Sequence, residues 1–189
     1  MKKKNQLIYL EGKKIYLRPF LKKDLTKNYL RWINNYENNT FMEAGKFPTS
    51  EFDLQKYFEQ NYKSKNSILF AVCNKKGDHV GNCLISNIDW VNRRATYGRL
   101  VGQKNKAPKG TGTEILRLLL KYCFEILNLN VMWTVVCSKN YSSIKSNMNA
   151  GLKIGGTIED FFFRNNKLFD CTIFYISKKE YLGALKKIN

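Results

Sequence analysis

Val101-Gly102-Gln103-Lys104-Asn105-Lys106-Ala107-Pro108-Lys109-Gly110-Thr111-Gly112-Thr113-Glu114 is the stretch on which the reading of this chain turns. An apolar run ends at Val101, a loop rich in Gly and Lys follows, and an amphipathic segment leaves it. In that segment Ile115, Leu118, Leu119, Tyr122, Cys123 and Ile126 fall at i, i+3, i+4, i+7, i+8 and i+11, the stripe of a helix packed on a core. Glycines let a backbone come close to an anion, and the first N–H groups of a helix carry positive dipole charge. The stretch therefore reads as strand, anion-binding loop, helix. It lacks the Lys-Ser/Thr pair of a P-loop and one glycine of the dinucleotide fingerprint. A glycine-rich helix start with no ligand fits the same residues.

Outward from the loop, the hydrophobic period alternates between about 2 and 3.6. Before it, Ile15–Pro19 reads as a strand, Asp24–Asn35 as a helix, and Ser50-Glu51-Phe52-Asp53 as a capping box opening a second helix. Ser67–Cys73, Val80–Ile88 and Ala95–Val101 read as strands, the first two joined by a turn at Lys75-Lys76-Gly77-Asp78. After the loop helix come a β-branched strand, Val131–Cys137, and a short helix, Asn140–Asn149, closed by Gly151. Leu152–Phe163 and Leu168–Ser177 read as two long strands, and a basic helix follows. The order is β-α-α-β-β-β-α-β-α-β-β, an α/β (α+β) domain with a mixed sheet spanning residues 1–189.

Composition bounds the partners. The chain has 189 residues, 33 of them Lys or Arg against 15 Asp or Glu, a formal net charge of +18. That excess suits an anionic ligand. Lys supplies 26 of the cations and Arg only seven, and no helix carries a dense basic face. Nucleic acid and stable membrane association are not expected, and part of the charge follows Lys- and Asn-rich codon usage. Cys73, Cys83, Cys123, Cys137 and Cys171 show no C-x-x-C spacing, and His79 is the one histidine, so no metal site is expected. Odd-numbered cysteines in apolar stretches suit reduced thiols. Met1-Lys2-Lys3-Lys4 looks like a signal n-region, but Asn5–Leu10 is short for an apolar core and Glu11 ends it, so a cytoplasmic protein is expected.

The loop, the element order and the segment Asn140-x-x-Ser143-Ile144-x-x-Asn147-x-x-x-Gly151-Leu152 together resemble the GNAT superfamily of acetyl-CoA-dependent N-acetyltransferases, from about Ile15 to Ser177. The resemblance implies a mostly antiparallel sheet of about seven strands flanked by helices, its fourth and fifth strands splayed into a cleft for acetyl-CoA. It implies cofactor contacts at Leu100, Val101, Gly102, Lys109, Gly110, Thr111, Gly112, Thr113 and Asn140. The family's R/Q-x-x-G-x-G/A signature matches at Gly110 and Gly112, but its first position is Ala107, which leaves Lys104, Lys106 or Lys109 to supply the cation. The family's usual Glu base falls at Thr96 and its usual Tyr acid at Asn147. Asn147, Thr96, Tyr97 and Asp89 are therefore the catalytic candidates, with Glu43 and Asp170 as further proton handlers. His79 reads as a surface turn residue, and Cys137 as a core thiol near the thioester.

Two acceptor branches fit the resemblance. Gly81–Ala95 and the Gly156–Asp170 tail lean toward a nucleotide-linked amino sugar, with Phe41, Met42, Trp90, Arg93 and Phe162 as pocket walls. Aromatic faces suit a sugar or base. The other branch acetylates protein N-termini. The altered pair Thr96 and Asn147 also allows a degenerate acetyl-CoA binder with no turnover. A homodimer is compatible with either.

Overall fold

The computed structural model describes residues 7–42 and 46–186. Eight strands make one sheet: β1 (Leu10–Glu11), β2 (Ile15–Pro19), β3 (Ile68–Asn74), β4 (His79–Asp89), β5 (Arg94–Val101), β6 (Val131–Cys137), β7 (Lys153–Arg164) and β8 (Lys167–Ser177). Their spatial order is β1-β2-β3-β4-β5-β6-β8-β7. The helices are α1 (Lys27–Ile33), α2 (Tyr36–Asn39), α3 (Glu51–Lys63), α4 (Thr111–Lys121), α5 (Tyr141–Asn149) and α6 (Lys178–Lys186). This is a mixed, mostly antiparallel α/β sheet of eight strands, against the seven expected. The additional strand is β1, too short to leave a periodic signal.

Each face of the sheet is covered. On one side α4 buries Ile115, Leu116, Leu118, Leu119 and Leu120 against Leu17, Val72, Ile85 and Met132. Each such side chain contributes about 1.5–3 kcal/mol of hydrophobic stabilisation. On the other side Tyr29 and Ile33 of α1 and Leu54 of α3 pack on Phe20, Ala71 and Leu100. Along β5, odd positions thus face α4 and α5 while even positions face α1 and α3, as strand geometry requires.

Three local departures from the expected elements have physical causes. The first helix starts at Lys27, because the Thr26 side chain caps it and Lys22–Asp24 is a separate 3-10 turn. The stripe of α4 fails at Ile126, which is 56% exposed. There the helix passes into a π turn, Tyr122–Ile126, whose extra residue per turn rotates Ile126 off the buried face. His79 begins β4 and points inward, where it touches Trp32 and Phe20. Among the described residues no helix is long and apolar enough to cross a membrane.

All neighbouring strands pair antiparallel except β5 and β6, which run parallel and are joined through α4. Their ladder is brief: Arg94↔Val131, Ala95↔Met132 and Thr96↔Trp133. β5 then stays with β4 as far as Val101, and β6 stays with β8 as far as Cys137. From Tyr97 and Thr134 onward the two facing edges diverge into a wedge in the middle of the sheet.

Candidate active site

A cavity of about 750 Å³ fills the wedge and runs through to the α1–α3 face. Arg99, Asn140 and Ser143 line it on the α5 side. Thr96, Leu100, Trp133, Val135, Phe41, Met42 and Phe162 line it on the other. Facing strand edges that do not pair leave backbone donors and acceptors for an extended ligand.

The helix N-termini set the electrostatics at one end. Thr26, Ser50 and Asn140 cap α1, α3 and α5 with side-chain oxygens that accept backbone N–H groups. At α4 the N-cap is Gly110, in a left-handed conformation at φ 89° with no side chain to offer. A Cβ built at Gly110 would meet nothing within 4 Å, so the ground before α4 is open. The first N–H groups of a helix have no intrahelical partner. An uncapped, glycine-flanked helix start beside unpaired strand edges fits a phosphorylated cofactor with an extended arm, and the chain's residues match acetyl-CoA in that respect.

The proposed catalytic residues separate. Tyr97 and Asn147 meet: the Tyr97 hydroxyl donates to Asn147 Oδ1 at 2.9 Å. Burial pushes the Tyr97 phenol up to about 12, so it stays protonated and serves as a donor. Asn147 is fully buried, and its Nδ2 has no hydrogen-bond partner among the described residues. Thr96 lies on the acceptor side, where its hydroxyl joins Ser86 at 2.9 Å and accepts from Asn87 Nδ2 at 3.2 Å. That network holds no carboxylate. Asp89 lies outside the cavity: its oxygens accept from Asn92, and Arg94 sits 3.3 Å away, so it is a turn-forming residue. Asp170 is likewise structural, accepting from the Asp160 N–H at 3.1 Å. Glu43 lies outside the described residues.

Of the expected cofactor contacts, Leu100 and Asn140 line the cavity, and Thr111, Gly112 and Thr113 form the first turn of α4 behind Lys109 and Gly110. Val101 packs against the main core. Gly102 departs from its expected role: its N–H donates to Val80 O at 3.0 Å, and a Cβ there would collide with Trp32. Its glycine answers packing. Lys106 also departs, because its ammonium pairs with Asp78 at 3.2 Å.

Among the expected walls, Phe41, Met42 and Phe162 line the cavity. Trp90 and Arg93 do not. The Trp90 indole donates to Lys65 O at 3.0 Å, and Arg93 occupies the β4–β5 turn at φ 53°. Cys137 is buried beside Phe162 and Cys171, a core thiol.

Three groups escaped the sequence reading. Arg99 sends its guanidinium from β5 across the wedge to α5, where Nη2 donates to Ser143 Oγ at 3.3 Å, to Asn147 Oδ1 at 3.1 Å and to Ser146 Oγ. The signal was present, as an arginine inside the otherwise uncharged run Ala95-Thr96-Tyr97-Gly98-Arg99-Leu100-Val101. Asn82 lines the cavity and is 5% exposed. Its Oδ1 lies 2.7 Å from His79 Nε2, and its Nδ2 has no hydrogen-bond partner among the described residues. Behind it, Arg18 grips Asp24 with two bonds of 2.6 and 2.7 Å. Burial alone would raise the Asp24 carboxyl, but the Arg18 fork and the Leu21 N–H hold it below its ordinary value. Burial holds His79 below its ordinary 6.5, so it is neutral at physiological pH.

Comparison with known proteins agrees with this geometry. The family model described as Acetyltransferase (GNAT) domain matches residues 14–153. Over 115 residues the chain is 33% identical to the "Uncharacterized N-acetyltransferase p20" of Bacillus licheniformis, covering 60% of this chain and 64% of that protein, less than two thirds of its length. It is 24% identical over 176 residues to spermidine N(1)-acetyltransferase of Escherichia coli strain K12, covering 91% and 90% of the two chains. The crystal structure of spermidine N-acetyltransferase from Vibrio cholerae in complex with CoA and spermine superposes with a TM-score of 0.82 at 21% identity, covering 90% of this chain and 99% of that one.

Proposed function

The chain belongs to the GNAT acetyltransferase domain family, and on that premise we propose that it is a single-domain N-acetyltransferase that moves the acetyl group of acetyl-CoA to a primary amine of a small molecule. The observation that carries this is the wedge between β5 and β6, lined from both faces of the sheet, with Arg99 on its wall and Arg99 Nε 3.6 Å from where a Cβ on Gly112, in the uncapped first turn of α4, would sit. Acetyl-CoA, when bound, supplies the activated acyl thioester. Gly110, Gly112 and Thr113 offer helix-start N–H groups to its phosphates, and the free edge of β5 near Leu100 offers donors along its arm. The same edge provides the N–H that strengthens on an oxygen gaining negative charge. Tyr97 lines the wedge, and its hydroxyl, turned from Asn147, would donate to the departing sulfur.

No carboxylate takes the usual base position, since Thr96, Ser86 and Asn87 form a neutral cluster there. The amine must therefore arrive neutral or lose its proton to water, and orientation carries much of the rate.

For the acceptor we favour an amine on a ring-bearing body that carries no second cation, with a nucleotide-linked amino sugar as the test case. Support comes from the lining: Phe41, Trp133, Phe162, Tyr57 and Tyr29 offer ring faces, and Asp53 is the one carboxylate among the described lining residues. Its Oδ2 is engaged with Ser50, where it caps α3. A polycation would need more counter-charge than that. The named relatives lend the amino-sugar class no support. They favour a second reading, a polyamine such as the spermidine or spermine of their names, which Asp53 would hold at one ammonium. Supplying acetyl-CoA with a nucleotide-linked amino sugar, spermidine or an N-terminal peptide, and weighing the products by mass spectrometry, separates these. Acetylated amino sugar supports the favoured reading, acetylated spermidine retires it for the second, and acetylated peptide retires both.

Five buried, unpaired thiols support a reducing compartment such as the cytoplasm. β7 is an edge strand of the sheet, and its exposed apolar side chains, Ile154 and Phe163 on one face and Ile158 on the other, support a homodimer.

A further inference from the structure

Among the described residues three buried side-chain polar atoms have no hydrogen-bond partner: Asn39 Oδ1, Asn82 Nδ2 and Asn147 Nδ2. Of these three residues Asn82 alone lines the cavity. It stands on β4 directly opposite Ala71 of β3 and Leu100 of β5, so its side chain shares their face, the one that α1 and α3 cover. That is the acceptor side of the wedge. The amide is held there by one end. His79 Nε2 lies 2.7 Å from Oδ1, an oxygen that only accepts, so Nε2 carries the ring proton and donates it. The ring is itself fixed by edge contacts with Trp32 and Phe20, and its Nδ1 lies 4.0 Å from Asp24 Oδ1. Nδ2 is therefore the free end of an amide whose orientation is set from behind, on a residue 5% exposed. The Tyr29 phenol stands beside the amide, outside hydrogen-bond geometry with Nδ2.

A buried N–H without an acceptor is costly, and a pocket that keeps one is built for a ligand atom that accepts. The groups around it are neutral. Burial raises the Tyr29 phenol, and that of Tyr57 to about 12, so both stay protonated. The one carboxylate among the described lining residues, Asp53, is committed to Ser50 at the start of α3. We propose that Asn82 determines acceptor specificity, its Nδ2 donating to a hydroxyl or carbonyl oxygen carried by the substrate amine. The assignment rests on the N-acetyltransferase reading and deepens it. An amino sugar carries such oxygens on the ring that bears its amine. A polyamine carries none, and its remaining ammonium groups only donate, so one placed at Asn82 Nδ2 would oppose donor to donor. The same amide thus rewards one substrate class and penalises the other.

The test compares wild type, Asn82→Leu and Asn82→Asp in acetyl transfer to a UDP-linked amino sugar and to spermidine, with CoA affinity measured beside it by calorimetry. Asn82→Leu removes the donor at similar volume. Its kcat/KM for the sugar should fall about ten- to a hundredfold, mostly through KM, the scale of one unpaired buried polar group, while CoA affinity moves less than about twofold. Asn82→Asp keeps the oxygen that meets His79 and replaces the donor with an anionic acceptor. It should lose at least as much with the sugar and gain about tenfold with spermidine, whose ammonium now finds a carboxylate. An unchanged KM for the sugar in both variants overturns the proposal, as does a parallel loss of CoA affinity, which a purely structural amide would give. If Asn82→Leu does not fold, Asn82→Asp decides by the same criteria. Wild type that acetylates spermidine and not the sugar also overturns the proposal and leaves the enzyme reading standing. Wild type that acetylates no amine offered overturns the N-acetyltransferase reading itself, a different result from either.

Discussion

The Tyr97 hydroxyl donates to Asn147 Oδ1 across 2.9 Å, joining the middle of β5 to α5 over fifty residues of sequence. Asn147 stands where the family resemblance expects a tyrosine, and this bond brings a phenol back to the same place from another element. Tyr97→Phe should lower kcat about a hundredfold, the low end for a positioned proton donor, with little change in the KM for acetyl-CoA. Its stability should drop by about 1 kcal/mol, the net value of one hydrogen bond. Steady-state kinetics with a chemical-denaturation curve checks both. Unchanged kcat would make the pair a structural tie alone.

The neutral cluster at Thr96 predicts the pH dependence. With no carboxylate base, kcat/KM should rise with pH at unit slope until the acceptor amine itself is neutral. Tyr97, pushed up to about 12, should add no falling limb below pH 10. A plateau reached between pH 6 and 7 would reveal an internal base and contradict the neutral-cluster account.

Gly112 tests the phosphate end of the cleft. A Cβ there meets its nearest atom, Arg99 Nε, at 3.6 Å, ordinary contact, and its φ is not left-handed. Gly112→Val should fold with near wild-type melting but lose CoA affinity by at least about tenfold, because its branches crowd the helix-start N–H groups. Retained CoA binding with lower stability would mean the glycine serves folding only.

The buried network behind Asn82 predicts acid sensitivity in two stages. His79 has a folded pKa below its ordinary 6.5, so the unfolded chain takes up a proton first as pH falls. Stability should decline from about pH 6.5 downward until the folded pKa is reached. Asp24, depressed in the folded state, contributes stability above its unfolded value near 4 that is lost as pH falls through its folded one. Urea unfolding from pH 7 to 3 should show both stages, and His79→Gln should remove the first. A His79→Gln curve parallel to wild type down to pH 5 would refute this origin.

Asp24→Asn tests the ion pair directly. It strands the Arg18 guanidinium, whose side chain is 12% exposed, without its charge partner. The expected cost is about 3–5 kcal/mol, the scale of breaking a buried pair from one side. A cost below 1 kcal/mol would place Arg18 in effective contact with solvent.

The elements near the loop were legible because they follow local rules. The stripe of α4, the Ser50–Asp53 capping box and the β-branched β6 all announce themselves within a few residues. What escaped depends on distant pairing. β1 exists because β2 offers it an edge. His79 turns inward at a register shift between Val72 and Cys73 that no turn rule contains. Trp90 looked like a pocket wall, yet its indole is held by Lys65 O. Arg99 stood in plain view, but its meaning needs α5, forty-four residues onward, to supply Ser143. The acceptor escaped for a related reason, since a lining drawn from α1, α3, β5, β6 and β7 has no contiguous sequence signature.

The most direct test of the central claim follows free thiol as the protein is mixed with acetyl-CoA and a primary-amine acceptor from the panel above. Thiol release should depend on both protein and amine and keep step with N-acetylated product. CoA binding without amine-dependent thiol release, on every amine class offered, would contradict it.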